Sequence, residues 1–221
     1  MNLSDLHRRL LSDVLAIGAV YPLVITGGYA VQAHGLVDRL SQDLDVATEN
    51  PAPMEEITRT VTAGLTARGW EVREIGTDPL SGRLVVTDPA SGEQCEVDIL
   101  KEAFWRSPTA SEYGPVLAFD DVIGTKVRAL ADRGAVRDLI DVHAASRHYT
   151  TADLETLGRR HARDEFCLED LQTRLAGAEW YEDEEFTAYG LPEADTAALR
   201  TWAQGWCDDL SERLHEHIAD D

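Results

Sequence analysis

Two adjacent glycines, Gly27 and Gly28, follow the apolar run YPLVIT (21–26), and Asp-Leu-Asp (43–45) opens the next strand-like run, LDVAT (44–48). Aspartates at i and i+2 share one face of a strand, while Leu44 and Val46 point to the other. Asp43 and Asp45 are therefore neighbouring like charges, which destabilise one another unless a cation or donor compensates them. The glycine pair stands between a strand and a helix start. There a backbone without Cβ can approach a ligand closely, and a helix N-terminus favours a phosphate. A tight turn with no ligand would use the same two residues.

A third carboxylate follows from the same periodicity. In CEVDIL (95–100), Cys95, Val97 and Ile99 face one way, and Glu96 and Asp98 the other. If this strand neighbours 44–48, Asp98 joins Asp43 and Asp45 on one sheet face. Three carboxylates there imply a cation among them. Hard oxygen donors suit Mg²⁺, with Mn²⁺ as a substitute, whose shell is completed by water and substrate phosphates. A pair of such ions about 4 Å apart can activate an attacking hydroxyl and stabilise a leaving pyrophosphate. Two edge strands with solvated acidic faces are the alternative reading.

Periodicity along the rest of the chain gives a mixed α/β half of residues 1–115 and a mostly helical half of residues 116–221. Apolar residues at helical spacing predict a helix over 3–18, a short one over 29–35 and another over 53–68. Three strands at 70–76, 82–88 and 94–100 are joined by the similar turns DPLSG and DPASG, as in a meander. The stretch RSPTASEYGP reads as a loop. Helical patterns then cover 120–148, with a break at Gly134, and 151–164, 167–177 and 193–217. The fold class expected is α+β, a small mixed sheet flanked by helices and followed by a mostly helical C-terminal half.

Charge and cysteine usage exclude some classes. A formal net charge of −21 argues against a protein that holds nucleic acid through a broad basic surface. Residues 179–221 carry 13 acidic residues against 2 arginines, so this end is either a solvated face or a partner surface. Cys95, Cys167 and Cys207 form no CxxC pair, which points to the reducing cytoplasm rather than a disulfide or zinc framework. No apolar run approaches the roughly 20 residues of a membrane span, and the charged N-terminus lacks a secretory core. Among 20 basic residues only Lys101 and Lys126 are lysines, so each is notable where a compact ammonium serves better than a guanidinium.

GGYAV (27–31), Arg39, SQDLD (41–45) and VDIL (97–100) together resemble the nucleotidyltransferase fold of the DNA polymerase β-like superfamily. The 14-residue gap between Gly28 and Asp43 is longer than in the shortest versions of that pattern. DDVIGTKVRALADRGAVRDLIDVHAA (120–145) narrows the likeness to the AbiEii/AbiGii-type toxin nucleotidyltransferases, which include MenT-type toxins of bacterial toxin–antitoxin pairs. His34, Gly35, Arg39 and Ser41 fit the first motif of that family. The resemblance covers residues 24 to 145, and its motifs do not extend into the tail beyond 150.

On its own residues, the second stretch places Lys126, Leu130 and Arg133 about one turn apart on one helical face. Arg137 and Asp141, at i and i+4, form either a plain helical salt bridge or part of a nucleotide site. The resemblance implies Lys126 as the cation for a triphosphate, with Asp138 orienting it or the nucleotide; spacing leaves Asp138 and Asp141 both open. It also implies Gly27, Gly28, Arg39, Ser41 and Arg137 as nucleotide-binding residues, and a helical half that completes the active site. Asp43, Asp45 and Asp98 become the metal ligands, Asp98 doubling as general base. His34 can equally be a helix C-terminal histidine favoured by the dipole.

The function expected is Mg²⁺-dependent transfer of an NMP from an NTP to an acceptor hydroxyl. The resemblance implies tRNA 3′ ends as acceptor and a cognate antitoxin as partner. Arg159, Arg160 and Arg163, with His161, are the one obvious basic cluster for an RNA, and they read equally well as a surface helix. Trp180, Tyr181, Trp202 and Trp206 read as packing residues or as stacking platforms for a base. An aminoglycoside-type adenylyltransferase, AMPylation of a protein and an inactive nucleotide-binding module are the competing readings.

Overall fold

The computed structural model describes residues 1–39 and 41–219, leaving the side chains of 217–219 aside. These residues cluster into two compact units, the first ending at Val122 and the second beginning at Ile123.

The first unit is built on a seven-stranded mixed sheet. Its strands are β1 (Val24–Ile25), β2 (Leu44–Thr48), β3 (Glu71–Asp78), β4 (Ser81–Thr87), β5 (Gln94–Lys101), β6 (Thr109–Ser111) and β7 (Gly114–Val116). Their order across the sheet is β3-β4-β5-β2-β1-β7-β6. The meander β3–β4–β5 is antiparallel throughout, whereas β5 runs parallel to β2 and β7 parallel to β1. β2 and β5 are thus adjacent and central, not edge strands, so the two acidic strands share one surface.

Alternation decides which face is buried. Leu44, Val46, Cys95, Val97, Ile99, Leu84 and Val86 are all 2 % exposed or less, while Asp45, Glu96, Asp98 and Arg83 occupy the opposite register. The buried face meets α3 (Met54–Ala67), whose Ile57, Val61 and Leu65 recur at helical spacing and are fully enclosed. Each such side chain contributes about 1.5–3 kcal/mol of apolar burial. α1 (Asp5–Ile17) packs on α3 through a stripe of Leu6, Leu10, Leu11 and Val14, and Ser4 caps it by accepting the His7 amide.

Two local expectations are corrected here. YPLVIT forms only the two-residue β1, because Thr26 already occupies the N-cap position of α2 (Gly27–Ala33). The glycines are therefore the first turn of that helix rather than a spacer before it. RSPTASEYGP is not plain loop, since it holds the hairpin of β6 and β7.

The second unit is helical. α4 (Phe119–Arg133) enters it from the end of the first, followed by α5 (Val136–Ala145), α6 (Thr151–His161), α7 (Leu168–Ala176), the short α8 (Asp183–Thr187) and the long α9 (Glu193–Ala219). Thr150 and Asp153 form a capping box that starts α6. Its core gathers Leu139, Leu154, Leu171, Phe186, Leu199, Trp206 and Leu210, with α9 packed along α7, α5 and α8. Among the described residues no helix is long and apolar enough to cross a membrane.

Candidate active site

In the first unit, the start of β2 sets the site. β2 and β5 are in parallel register with Asp45 opposite Asp98, so both side chains project from the same face of the sheet. Asp43 lies in the bend immediately before β2, two residues ahead of Asp45. On the other flank of β2, the Thr26 amide donates to the Asp45 carbonyl at 3.0 Å, which brings the first turn of α2 against that aspartate. Gly27 has φ +58, and a Cβ there would lie 1.9 Å from Asp45 Oδ2. Glycine is required on both counts, by the left-handed backbone and by the carboxylate pressed against it.

The loop before β2 folds onto the same helix. A Cβ on Gly28 would meet Ser41 Oγ at 2.5 Å and Arg39 Nη1 at 3.7 Å. Gln32 donates its side-chain amide to the Arg39 carbonyl, and Tyr29 donates to the Ser41 carbonyl at 3.4 Å. Gly28, Arg39 and Ser41, separated by up to 13 positions in sequence, are thus one cluster. Arg39 is buried, which keeps its guanidinium with the glycine turn rather than in solvent. Tyr29 also shares a 2.5 Å hydrogen bond with His7 Nδ1. Burial lowers the His7 pKa despite the opposing charges of Asp43 and Glu93. It pushes the Tyr29 phenol up to about 12, with Cys95 and Asp43 adding to the shift.

Asp43 and Asp45 make their field felt in the sheet below. Burial raises the Cys95 thiol to about 12, and the charges of Asp43, Asp45 and Glu96 add to that. Asp98 is differently placed. Both of its oxygens are taken by Arg83, its register partner on β4, with Nε at 2.7 Å and Nη2 at 2.8 Å. Among the described residues no three His, Cys, Asp or Glu side chains form a ready metal cluster. By donor type Asp43 and Asp45 suit a hard divalent cation, and Asp45 lies beside the glycine turn. Asp98, engaged with Arg83, does not fit that role in the same way.

The second unit holds a buried charge cluster. Lys126 Nζ on α4 lies 2.8 Å from Asp141 and 3.5 Å from Asp138, both on α5 and both without solvent exposure. Arg133 donates twice to Asp138, at 2.8 and 3.1 Å. Burial alone would raise the Asp138 carboxyl, but Lys126, Arg133 and Arg137 outweigh it and hold its pKa below the usual range. Arg137 opens the RDLID stretch as the second residue of α5.

Other candidates resolve into packing roles. The His34 ring nitrogen bonds the Leu117 carbonyl at 2.8 Å at the end of α2. Lys101 donates to the carbonyls of Asn50 and Ala52 and holds a loop. Trp206 is buried and donates to Glu155, Trp202 packs between His143 and Trp206, and Tyr181 donates to the Gly134 carbonyl at 2.5 Å. Trp180 instead is 84 % exposed. His161 is buried and its carbonyl accepts from Arg128, so it does not belong with the exposed Arg159, Arg160 and Arg163. Arg83 was invisible to motif reading. Its polar position between Gly82 and Leu84 was legible, but its partner required the β4–β5 register.

Residues 9–212 match the family model described as the AbiEii nucleotidyltransferase toxin of type IV toxin–antitoxin systems. Among solved structures the chain is similar to JHP933 from Helicobacter pylori, at 19 % identity and TM-score 0.58 over 99 % of each chain. It is similar also to MenT4, a nucleotidyltransferase toxin from Mycobacterium tuberculosis H37Rv, at 19 % identity and TM-score 0.58 over 97 % of this chain and 90 % of that one. At these identities the likeness is one of fold. No curated protein matches the chain.

Proposed function

The chain belongs to the AbiEii family of nucleotidyltransferase toxins, and we propose that it transfers an NMP from an NTP to the 3′-terminal hydroxyl of a tRNA. The observation that carries this reading is Asp45 at the start of β2, packed on Gly27, with Asp43 two residues before it. Asp43 and Asp45 would hold the divalent cation, Mg²⁺ or Mn²⁺. When bound, that ion supplies charge neutralisation for the triphosphate and a lowered pKa for the attacking hydroxyl. Gly27 and Gly28 open α2, and the backbone amides of that first turn would receive the phosphates. Arg39 and Ser41, gathered at Gly28, add a fixed positive charge and a hydroxyl donor on the same side. Phosphoryl chemistry of this kind needs positioning and charge stabilisation more than covalent help from the protein.

In the helical unit, Lys126 is the residue we assign to the nucleotide, with Asp138 and Asp141 fixing its ammonium and Arg137 beside them on α5. The family is that of a toxin, so the expected partner is a cognate antitoxin, with the reducing cytoplasm as the setting for three unpaired cysteines. A tRNA needs cationic contacts, and the exposed Arg159, Arg160 and Arg163 supply a small group of them. The acidic residues 179–221 favour a cationic small molecule instead, which keeps an aminoglycoside acceptor as the second reading.

The test is transfer of label from each α-³²P NTP, with Mg²⁺, to total tRNA, to the protein itself and to an aminoglycoside panel. The Asp43→Ala, Asp45→Ala double variant runs alongside. Label on tRNA that disappears in the variant supports the proposal and identifies the nucleotide. Label on an aminoglycoside alone, or on protein alone, replaces the acceptor. No transfer to any of them removes the proposed activity.

A further inference from the structure

Across β4, β5 and β2 the exposed face carries Arg83, Asp98 and Asp45 in one row, set by the pairings Arg83 to Asp98 and Asp45 to Asp98. The guanidinium meets Asp98 as a two-pronged fork, at 2.7 and 2.8 Å, and also stands 2.9 Å from Glu96. Such charge-assisted bidentate contacts are directional and roughly twice as strong as neutral hydrogen bonds. Arg83 carries its charge at every accessible pH. The Asp98 side chain is 16 % exposed beneath an Arg83 side chain that is itself 52 % exposed, so the guanidinium stands between the carboxylate and solvent. A divalent ion shared between Asp45 and Asp98 would have to displace both hydrogen bonds. It would then sit beside a permanent positive charge two strands from Asp45.

We infer that Arg83 occupies at Asp98 the place of a second divalent ion, so that the chain holds one cation, on Asp43 and Asp45, and keeps Asp98 out of the coordination sphere. This rests on the reading of Asp43 and Asp45 as metal ligands given above. Asp98 is then a positioning partner: it fixes Arg83, and Arg83 supplies a fixed positive charge along the row that holds Asp45. The arrangement differs from a plain surface ion pair in one testable respect. Releasing Asp98 from Arg83 should create a metal site, whereas releasing a merely structural pair would not.

The experiment is titration of the full chain with Mn²⁺, read by the electron paramagnetic resonance signal of free Mn²⁺, with each of the four α,β-methylene nucleoside triphosphates. The wild-type chain is expected to bind one Mn²⁺ and Arg83→Met two. Asp98→Asn should leave the wild-type affinity within about twofold. Asp45→Asn should weaken it by more than the roughly tenfold that loss of an outer partner produces. Two ions on the wild type overturn the inference. So does an Arg83→Met chain that still binds one, or an Asp98→Asn loss as large as that of Asp45→Asn. Mn²⁺ binding that is absent, or unchanged in Asp45→Asn, removes the metal reading itself and with it this inference. Circular dichroism of each variant confirms that the sheet is intact, because Arg83 and Asp98 lie on its exposed face.

Discussion

The Lys126 ammonium is bonded to the Asp141 carboxylate at 2.8 Å, and both groups are shut away from solvent. The neighbouring Asp138 is held instead by the two-pronged Arg133, with Lys126 further off at 3.5 Å. RDLID spacing puts two acids one turn apart on α5, and the fold gives each its own principal cation. Buried charges persist only as complete sets, since desolvation of an unpaired ion costs several kcal/mol.

Removing one member should therefore destabilise the helical unit strongly. Asp141→Ala is expected to lower the unfolding free energy by about 3–5 kcal/mol, measured by urea denaturation. The double variant Lys126→Met, Asp141→Leu should lose much less than the sum of the two single changes, because neither charge is left without a counter-charge. Additive losses would show that the pair is not energetically coupled.

Asp138 adds an acid limb to the stability curve. Its pKa in the folded chain is depressed by Lys126, Arg133 and Arg137 against the opposing effect of burial. The folded state thus binds fewer protons than the unfolded state, where the carboxyl titrates near 3.8. Its stabilisation is complete above that value and is lost as the pH falls below it. Urea denaturation from about pH 5 down to about pH 3 should show this decline, and Asp138→Asn should flatten it. Equal slopes in the two proteins would contradict the assignment.

What the sequence reveals and what it conceals follow from the range of the interactions involved. β2 coincides with the predicted 44–48 because Leu44 and Val46 alternate with acidic residues on a central strand, where burial leaves no choice of register. YPLVIT is just as apolar, yet it contributes only Val24 and Ile25 to the sheet, since helix α2 begins at once after Thr26. β6 and β7 are three residues each, too short for any period to show. The grouping of Gly28 with Arg39 and Ser41 follows in the sequence only from the family resemblance, because the loop that joins them has no period of its own. The pairing of Arg83 with Asp98 depends on a hairpin register that no local pattern encodes.

Gly27 offers a test of how closely the backbone and Asp45 are matched. Its φ of +58 disfavours any side chain, and a Cβ would fall 1.9 Å from the Asp45 carboxylate. Gly27→Ala should lose about 1–2 kcal/mol of stability from the backbone alone. Displacement of Asp45 by an ångström or so should also lower transfer activity by about 10²-fold. Gly35→Ala is the control, because Gly35 has φ +72 with nothing within 4 Å of its Cβ position. It should show a similar loss of stability with transfer retained. Equal activity losses in both would mean that strain, not the contact with Asp45, is responsible.

Cys95 reports on the same carboxylates from beneath the sheet. Burial, then the charges of Asp43, Asp45 and Glu96, raise its pKa from 9.0 to about 12. A folded-state value above the unfolded one means that the folded chain retains a proton the unfolded chain gives up. The associated stability is therefore complete below about pH 9 and is lost progressively as the pH rises toward 12. Unfolding free energies measured from about pH 8 to about pH 10.5 should fall, and Cys95→Ala should remove part of that fall. The thiol should likewise resist alkylation at about pH 8 until the chain is unfolded, because the nucleophile is the thiolate. Fast alkylation of Cys95 in the folded protein would show that it is neither protonated nor enclosed as the sheet places it.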